Sequence, residues 1–438
     1  MNNIYKNIAL LSVLATVSVF AETVEELDEN ASLNEIIRQK MSDPNNDMPL
    51  SFCGDLNLTA LFISQDKNED YDGSSESLQG NIGLIYVGKK NKFGYGVEIG
   101  VKTDSGLIKQ GAAIMKTAFV FVEADTIGTI RLGYTNTAAD LFCICGDKYL
   151  VGYGGAGSGN LGIFYNKSAG SIVDTGFSCD DSRAAKILWL SPTLSGFSIG
   201  LSFTPDSRDA NLFYTRHCLF KPINEKSCFS QMSAYTKNTT TCGIAYELGA
   251  PDDFNAKISA SAWFGKGKSG SSDTIEVHNV RAFNIGAMLG YKDFKISLGY
   301  TDAGKSLLPR KYATTDMPVA FDDSRNYALS DTAVGLKPGA DAGKSFSVGV
   351  AYTYEKLTVS AGYFKSEVKF SDNEKSSADI ITLAAEYTFD KTVGMYIEYD
   401  HISSNTCDRA RIYGKACNLS STGENKANIL IMGTKINI

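Results

Sequence analysis

Alternation of apolar and polar positions dominates the chain from Leu50 to Ile438. About sixteen times, roughly ten residues alternate between apolar and small or polar, and a turn or a polar loop follows, as in transmembrane β-barrels. In one repeat the two sets are Tyr95, Val97, Ile99 and Val101 against Gly96, Glu98, Gly100 and Lys102. Successive side chains of a strand point to opposite faces, so we expect the first set to face lipid and the second the lumen. The alternation recurs at residues 197–203, 294–300, 357–363 and 383–389.

The connections between these segments alternate between short and long. Seven short connections occur near residues 91 and 126, at 192–195 and 250–253, near 293 and 355, and at 390–392. Eight long connections occur at residues 65–76, 104–113, 136–181, 206–238, 265–278, 303–343, 367–377 and 403–425. Short turns on one rim and long loops on the other are the expected periplasmic and extracellular asymmetry. With both chain ends on the turn side, the pattern predicts an all-β fold: a transmembrane antiparallel barrel of about sixteen strands.

A soluble sandwich or jelly roll is the alternative for a chain of short hairpins. Two stacked sheets need a continuous inward-facing core, which the apolar faces of these segments do not form. Tyrosine and phenylalanine also gather at the strand ends, as in the aromatic girdles of membrane barrels. The pattern therefore favours the membrane barrel.

The N-terminus carries an export pattern. Lys6 precedes an apolar run from Ile8 to Phe20, and small residues at minus three and minus one precede Glu22. This predicts a signal peptide over residues 1–21, since the run is too short for a transmembrane anchor. Residues 22–49 form an acidic segment with apolar residues at roughly helical spacing, and we expect a periplasmic extension. The barrel domain then covers residues 50–438.

Composition and cysteine content narrow the class further. The formal net charge is −7, and this acidic balance disfavours nucleic acid as a partner. The nine cysteines are Cys53, Cys143, Cys145, Cys179, Cys218, Cys228, Cys242, Cys407 and Cys417. In an exported chain they predict disulfide bonds within loops, such as Cys407 with Cys417, Cys218 with Cys228, and Cys143 or Cys145 with Cys179. An odd count leaves at least one thiol outside such pairs. Without a Cys-x-x-Cys pair we expect no metal site and no cofactor.

The third long loop, residues 136–181, is too long for an ordinary connection and is therefore expected to be functional. An open barrel of this size encloses an aqueous lumen that wall side chains cannot fill, so a constriction has to come from another segment. Glycine permits sharp turns and close approach to the wall, and the loop is rich in it. These glycines are Gly152, Gly154, Gly155, Gly157 and Gly159. We predict that this loop folds inward.

Three stretches resemble the Gram-negative general porin family. Residues 117–137 (TAFVFVEADTIGTIRLGYTNT) are similar to the family's AFVGL…GTLTLGRxxT hairpin, and residues 188–203 to its SPxFxGFxxG strand pair. Residues 348–363 are similar to its VGxxY…LxxSAGY pair. The resemblance implies a homotrimer of sixteen-stranded barrels in the Gram-negative outer membrane, each with an inward third loop. Acidic loop residues would then oppose a basic ladder on the wall.

We assign constriction and pore-lining roles by this resemblance and by strand parity. The wall bases are Lys116, Arg131 and Lys186, and the loop acids able to face them are Asp140, Asp147 and Asp174. Glu98, Glu398 and Asp400 are also expected to point inward. Opposed charges would set a transverse field that favours small polar solutes. Because the signs are mixed, the sequence does not predict ion selectivity.

These observations predict a multi-pass outer-membrane porin for passive diffusion of ions and small hydrophilic solutes, with no enzymatic activity. Its partners would be those solutes, outer-membrane lipid and other copies of the chain. Two alternatives stay open. The long loops would suit a surface adhesin, and a barrel hydrolase would need a histidine with serine or acidic partners, for which His401 lies between Asp400 and Ser403.

Overall fold

Sixteen β-strands form one closed antiparallel barrel. The computed structural model describes residues 50–65, 73–90, 93–105, 112–153, 184–207, 235–249, 254–268, 276–306, 309–311, 341–371, 374–390, 392–405 and 424–437. The first eight barrel strands are β1 (Leu50–Gln65), β2 (Gly73–Lys90), β3 (Phe93–Ser105), β4 (Ala112–Ala124), β5 (Gly128–Thr135), β6 (Ala184–Leu190), β7 (Phe197–Asp206) and β8 (Tyr235–Gly249). The other eight are β9 (Phe254–Lys268), β11 (Val280–Tyr291), β12 (Phe294–Asp302), β14 (Asp341–Tyr354), β15 (Leu357–Ser371), β16 (Glu374–Thr388), β17 (Val393–Asn405) and β18 (Glu424–Asn437).

Each barrel strand pairs with its neighbours in the chain, and the ring closes where β1 meets β18. In this closing pair Thr59 lies opposite Gly433 and Leu61 opposite Ile431. The predicted sixteen-stranded antiparallel barrel is confirmed. The alternation did not predict a separate two-stranded ribbon, in which β10 (Glu276–Val277) pairs with β13 (Pro309–Lys311). Among the described residues, no α-helix has both the length and the apolar character needed to cross a membrane.

The two faces of the barrel wall differ as the alternation predicted. On β16, Leu383 is 52 % exposed on the outer face, whereas the neighbouring Thr382 is fully buried on the inner face. The same contrast separates Phe197, Ile199 and Leu201, all exposed, from the buried Ser202. The outer face therefore presents an apolar surface all along these strands, and small and polar residues occupy the inner face.

One sector of the inner face is apolar instead of polar. On β1 and on β16–β18 the inward residues form a buried cluster that comprises Leu61, Ala378, Ile380, Ile402, Ala427, Ile429 and Ile431. These strands have no polar alternation at this height, because Ile429, Leu430, Ile431 and Met432 are consecutive in the chain. The predicted polar interior is therefore interrupted at this sector.

The ends of the barrel strands lie close to the predicted connections, and the largest difference is at β15 and β16. β15 and β16 were expected to end before a long loop at residues 367–377, but their pairing continues to Ser371 and Glu374. Charge pairs explain the extension: Glu367 lies 2.7 Å from Lys375 and 3.6 Å from Lys369. A strand that rises beyond the bilayer has water on both faces, so polar residues there do not end the ladder.

The described part of the third long connection, residues 136–153, folds inward, as predicted. After β5 the chain forms α1 (Ala138–Phe142) and then a 3-10 helix (Gly146–Tyr149). We call residues 136–153 the inner loop. α1 packs on β7, β8 and β9, and the 3-10 helix packs on β12, β14 and β15.

Candidate functional site

The inner loop follows the inner face of the barrel from β7 to β17. It meets the wall at positions opposite the exposed apolar residues, which places it in the lumen. Wall glycines make this approach possible. Phe142 lies on Gly200 and Gly243, Ile144 on Gly286 and Gly299, Gly146 on Gly349, and Leu150 on Gly362. A Cβ atom at Gly200 would lie 2.6 Å from the Phe142 ring, and one at Gly362 would lie 2.5 Å from Leu150. Any larger residue at these positions would push the loop away from the wall.

Polar wall side chains satisfy the backbone of the first half of the inner loop. Ser202 Oγ and Thr241 Oγ1 accept hydrogen bonds, both 3.2 Å long, from the backbone N–H groups of Ala138 and Ala139. These are the first N–H groups of α1, which have no partner within the helix. Thr137 and Asp140 complete the end of α1 with a capping box.

Further along the inner loop, wall side chains form hydrogen bonds with both the N–H and the carbonyl groups of Ile144 and Gly146. Asn284 accepts from the N–H of Ile144 and donates to its carbonyl oxygen, each at 3.2 Å. Ser347 accepts from the N–H of Gly146 at 2.7 Å, and Ser297 donates to the Gly146 carbonyl oxygen at 2.8 Å. Buried backbone groups need such partners, so this row of small polar residues fixes the path of the loop.

Two cysteines in the inner loop are disulfide-bonded. Cys143 and Cys145 both form disulfides, and their Sγ atoms are 4.0 Å apart, so each is bonded to another cysteine. The predicted pairings with Cys179, between Cys218 and Cys228 and between Cys407 and Cys417 involve residues outside the described ranges. Cys143 also packs with Ala139 against Trp263 on the wall. Among the described side chains, Cys242 is a free thiol.

The two described acids of the inner loop occupy different environments. Asp140 is buried, and its Oδ2 accepts a hydrogen bond from the N–H of Thr137 at 2.9 Å, so it caps α1. Asp147 lies in the first turn of the 3-10 helix, and burial raises the pKa of its carboxyl even though the adjacent Lys148 acts in the opposite direction. Asp174, the third predicted loop acid, lies outside the described residues.

Two of the predicted wall bases lie on the inner face and are buried. Arg131 on β5 is 4 % exposed, and its guanidinium lies 4.9 Å from the centre of the Phe119 ring. Lys186 on β6 is 3 % exposed and donates a hydrogen bond to the Thr135 carbonyl oxygen. Both therefore contact protein groups in the wall.

Simple alternation does not assign a face to Lys116. β4 has a bulge at this position, because Gly100 pairs with Thr117 while Val101 pairs with Met115. A bulge leaves one residue unpaired and interrupts the two-residue period on which the parity argument depends. The Lys116 side chain lies outside the described part of the structure. Next to the bulge, the buried Glu98 accepts a hydrogen bond from Thr117 Oγ1 at 2.8 Å.

Acidic side chains occupy the wall where the described part of the inner loop ends. Glu398 and Asp400 on β17 are fully buried on the inner face, and Glu386 lies beside them on β16. Gly152 adopts φ +90° and donates from its N–H to Glu386, while Tyr153 donates to Glu398. The other predicted loop glycines, Gly154, Gly155, Gly157 and Gly159, lie outside the described residues.

Arg131 and Lys186 stand on a different side of the ring from Glu398 and Asp400, whereas Glu98 lies near Arg131 on the same side. β6 and β17 are nine strand steps apart in one direction and seven in the other. The opposition of a basic wall and an acidic loop stays a prediction, because Glu398 and Asp400 belong to the wall and Asp140 caps α1. The alternation could indicate an inward side chain, but it could not indicate which inward glycines and serines support the loop.

The described histidine on β17 lies apart from its acidic neighbour. His401 belongs to the outer-facing set with Tyr399, and its Nδ1 lies 2.9 Å from Asn428 Oδ1. Asp400 points to the inner face, so adjacent positions in the chain lie on opposite sides of the wall. Among the described side chains, no group of three or more His, Cys, Asp or Glu residues is placed to hold a metal ion.

Comparison with known proteins agrees with this architecture. A family model described as Gram-negative porin matches residues 41–406. An uncharacterized protein of Rickettsia bellii is 23 % identical over 363 residues, covering 72 % of this chain and 75 % of its own, and one of Rickettsia prowazekii is 21 % identical, covering 67 % and 71 %.

Solved structures resemble the fold. Salmonella typhi OmpF in complex with daunomycin has a TM-score of 0.54 at 13 % identity and covers 88 % of this chain and 97 % of its own. The anion-selective porin from Comamonas acidovorans has a TM-score of 0.52 at 14 % identity and covers 89 % and 99 %. With the closed barrel and the family match over most of its length, the chain belongs to the Gram-negative porin family and is a multi-pass β-barrel of the outer membrane.

Proposed function

We propose that the chain forms a water-filled channel for passive diffusion of ions and small hydrophilic solutes, with the inner loop as its constriction. The observation that carries this proposal is the path of the inner loop along the inner face from β7 to β17. A sixteen-stranded barrel is wide enough for an aqueous lumen, and a loop held against one side narrows it without closing it. The water pathway then runs between the inner loop and the facing strands β2–β4.

Conductance tests the channel. Purified protein inserted in a planar bilayer should give stepwise current increases in KCl, because a hydrated lumen of this width conducts ions. Proteoliposomes should also swell in small sugars at a rate that falls with sugar size. Heat-unfolded protein in the same detergent is the control. Correctly folded, inserted barrels that give no steps and no swelling would contradict the proposal.

We also propose that the protein works without catalysis and as a homotrimer. The separation of His401 from Asp400 supports a non-enzymatic role. A Vibrio cholerae OmpT structure described as the trimer form has a TM-score of 0.51 and 14 % identity, which supports only the likeness of fold. Cross-linking in intact membranes should yield a trimer band, and a single species at monomer mass would contradict the assembly.

The N-terminal processing is proposed on sequence grounds. Residues 1–21 would be removed on export, and residues 22–49 would remain as a periplasmic extension before β1. N-terminal sequencing of protein taken from outer membranes should begin at Glu22. A chain that still begins at Met1 would contradict this assignment.

A further inference from the structure

The last described residues of the inner loop are held by the wall through two kinds of contact. Tyr153 belongs to the apolar cluster of the inner face, together with Leu61, Ile429 and Ile431. It is 6 % exposed. Its ring therefore lies in an apolar pocket inside a barrel whose inner face is otherwise mostly small and polar.

Wall carboxylates accept hydrogen bonds from the backbone of Gly152 and Tyr153. Tyr153 N–H donates to Glu398 Oε2 at 2.7 Å, and Gly152 N–H donates to Glu386 Oε2 at 3.1 Å. Hydrogen bonds to charged acceptors are stronger than those between neutral groups. Lys435 fixes the second acceptor, since its Nζ lies 2.7 Å from Glu386 Oε2.

The fit at Gly152 is specific to glycine. Its φ of +90° lies in the region that other residues avoid. A Cβ atom here would also collide with Glu398 Oε2 and lie 3.3 Å from Ala384 Cβ. The chain thus turns toward the wall at the point where the tyrosine enters the pocket.

We propose that Tyr153, Glu398 and Glu386 form a latch that holds the far end of the inner loop against β16 and β17, and that they are positioning residues for the width of the pore. This deepens the proposed channel function and rests on it. The first half of the loop is attached to the wall by α1 and by hydrogen bonds to wall serines. The latch is the last described attachment, so its loss would free the far end and leave the first half in place.

Variants of the latch test the proposal by pore size and current noise. Glu398→Ala and Tyr153→Ala should each raise open-channel noise and shift the size limit for polyethylene glycol entry to larger polymers. Loss of one hydrogen bond to a charged acceptor should raise the detached population about tenfold or more. Glu398→Gln keeps an amide oxygen as acceptor and should restore most of the wild-type behaviour.

Glu247→Ala is the matched control. Glu247 is an inner-face carboxylate, 2.6 Å from Lys257 and 50 % exposed, and its removal changes the lumen charge by the same amount. It should leave noise and the polymer limit unchanged. Heat-modifiable migration on gels shows whether each variant is folded, and Tyr153→Ala keeps the test open if Glu398→Ala does not fold.

The outcomes separate the two proposals. If wild-type protein gives no channels, the proposed function itself fails. If wild-type protein conducts, and Tyr153→Ala and Glu398→Ala both have the same open-channel noise and polymer size limit as wild type, the latch is overturned. An equal shift in Glu247→Ala would assign the effect to charge and would also overturn the latch.

Discussion

Replacement of Gly243 by alanine tests whether wall glycines determine how closely the inner loop approaches. A Cβ atom at this position would lie 2.5 Å from both the Cβ and the Cγ of Phe142. Since carbon atoms make their best contact at about 3.5–4.0 Å, α1 would have to move about 1 Å toward the lumen. Overpacking of this kind costs about 1–3 kcal/mol. We expect Gly243→Ala to lower both stability and single-channel conductance.

Two measurements check this expectation. Urea unfolding in lipid vesicles can be followed by the fluorescence of the two tryptophans, of which Trp263 packs beside the inner loop. The free energy of unfolding should fall by about 1–3 kcal/mol, as for other overpacked sites. Conductance should fall because α1 takes up part of the lumen.

Gly394→Ala is the control, because its nearest neighbours would lie 3.6 to 4.0 Å from the new Cβ, at ordinary contact distance. This change removes backbone freedom from the unfolded chain and should be neutral or stabilising by less than about 1 kcal/mol. If Gly243→Ala and Gly394→Ala have the same stability and conductance, the reasoning about close approach is refuted.

Three further predictions concern the charges, the loop and a turn. Arg131→Glu and Lys116→Glu should shift reversal potentials toward cation preference. The shift should be larger at 0.01 M than at 0.1 M salt, because the screening length is about 30 Å at the lower concentration and about 10 Å at the higher. An unchanged permeability ratio would show that neither residue lines the pore. Deletion of residues 152–159 should raise conductance and widen size exclusion, and an unchanged conductance would contradict a constriction there. In the turn after β16, hydrogen bonds from the Thr392 hydroxyl and the nearby backbone N–H groups lower the pKa of Asp390. A lowered folded pKa adds stability that is present above the unfolded value of about 3.9 and is lost as pH falls through the folded value. The stability deficit of Asp390→Ala against wild type should therefore be larger at pH 7 than at pH 2.

The sequence by itself determined the barrel and the orientation of its strands. Strand alternation is a local property with a period of two, so Leu383 and Thr382 could be assigned to opposite faces from the chain alone. Connection lengths then determined the strand number and the two rims. The long third connection, with its glycines, predicted an inward loop without indicating its path.

Only the tertiary structure decided what the inner loop touches. Ala138 meets Ser202, 64 residues away, and Tyr153 meets Glu398, 245 residues away. Such pairs depend on closure of the ring, and no local period encodes them. For the same reason the face of Lys116 could not be predicted, because a bulge set by pairing with β3 interrupts the alternation there. The apolar pocket of Tyr153 was also missed, because its side chains come from strands at both ends of the chain. Periodicity therefore specifies the wall, and contacts across the closed barrel specify the constriction.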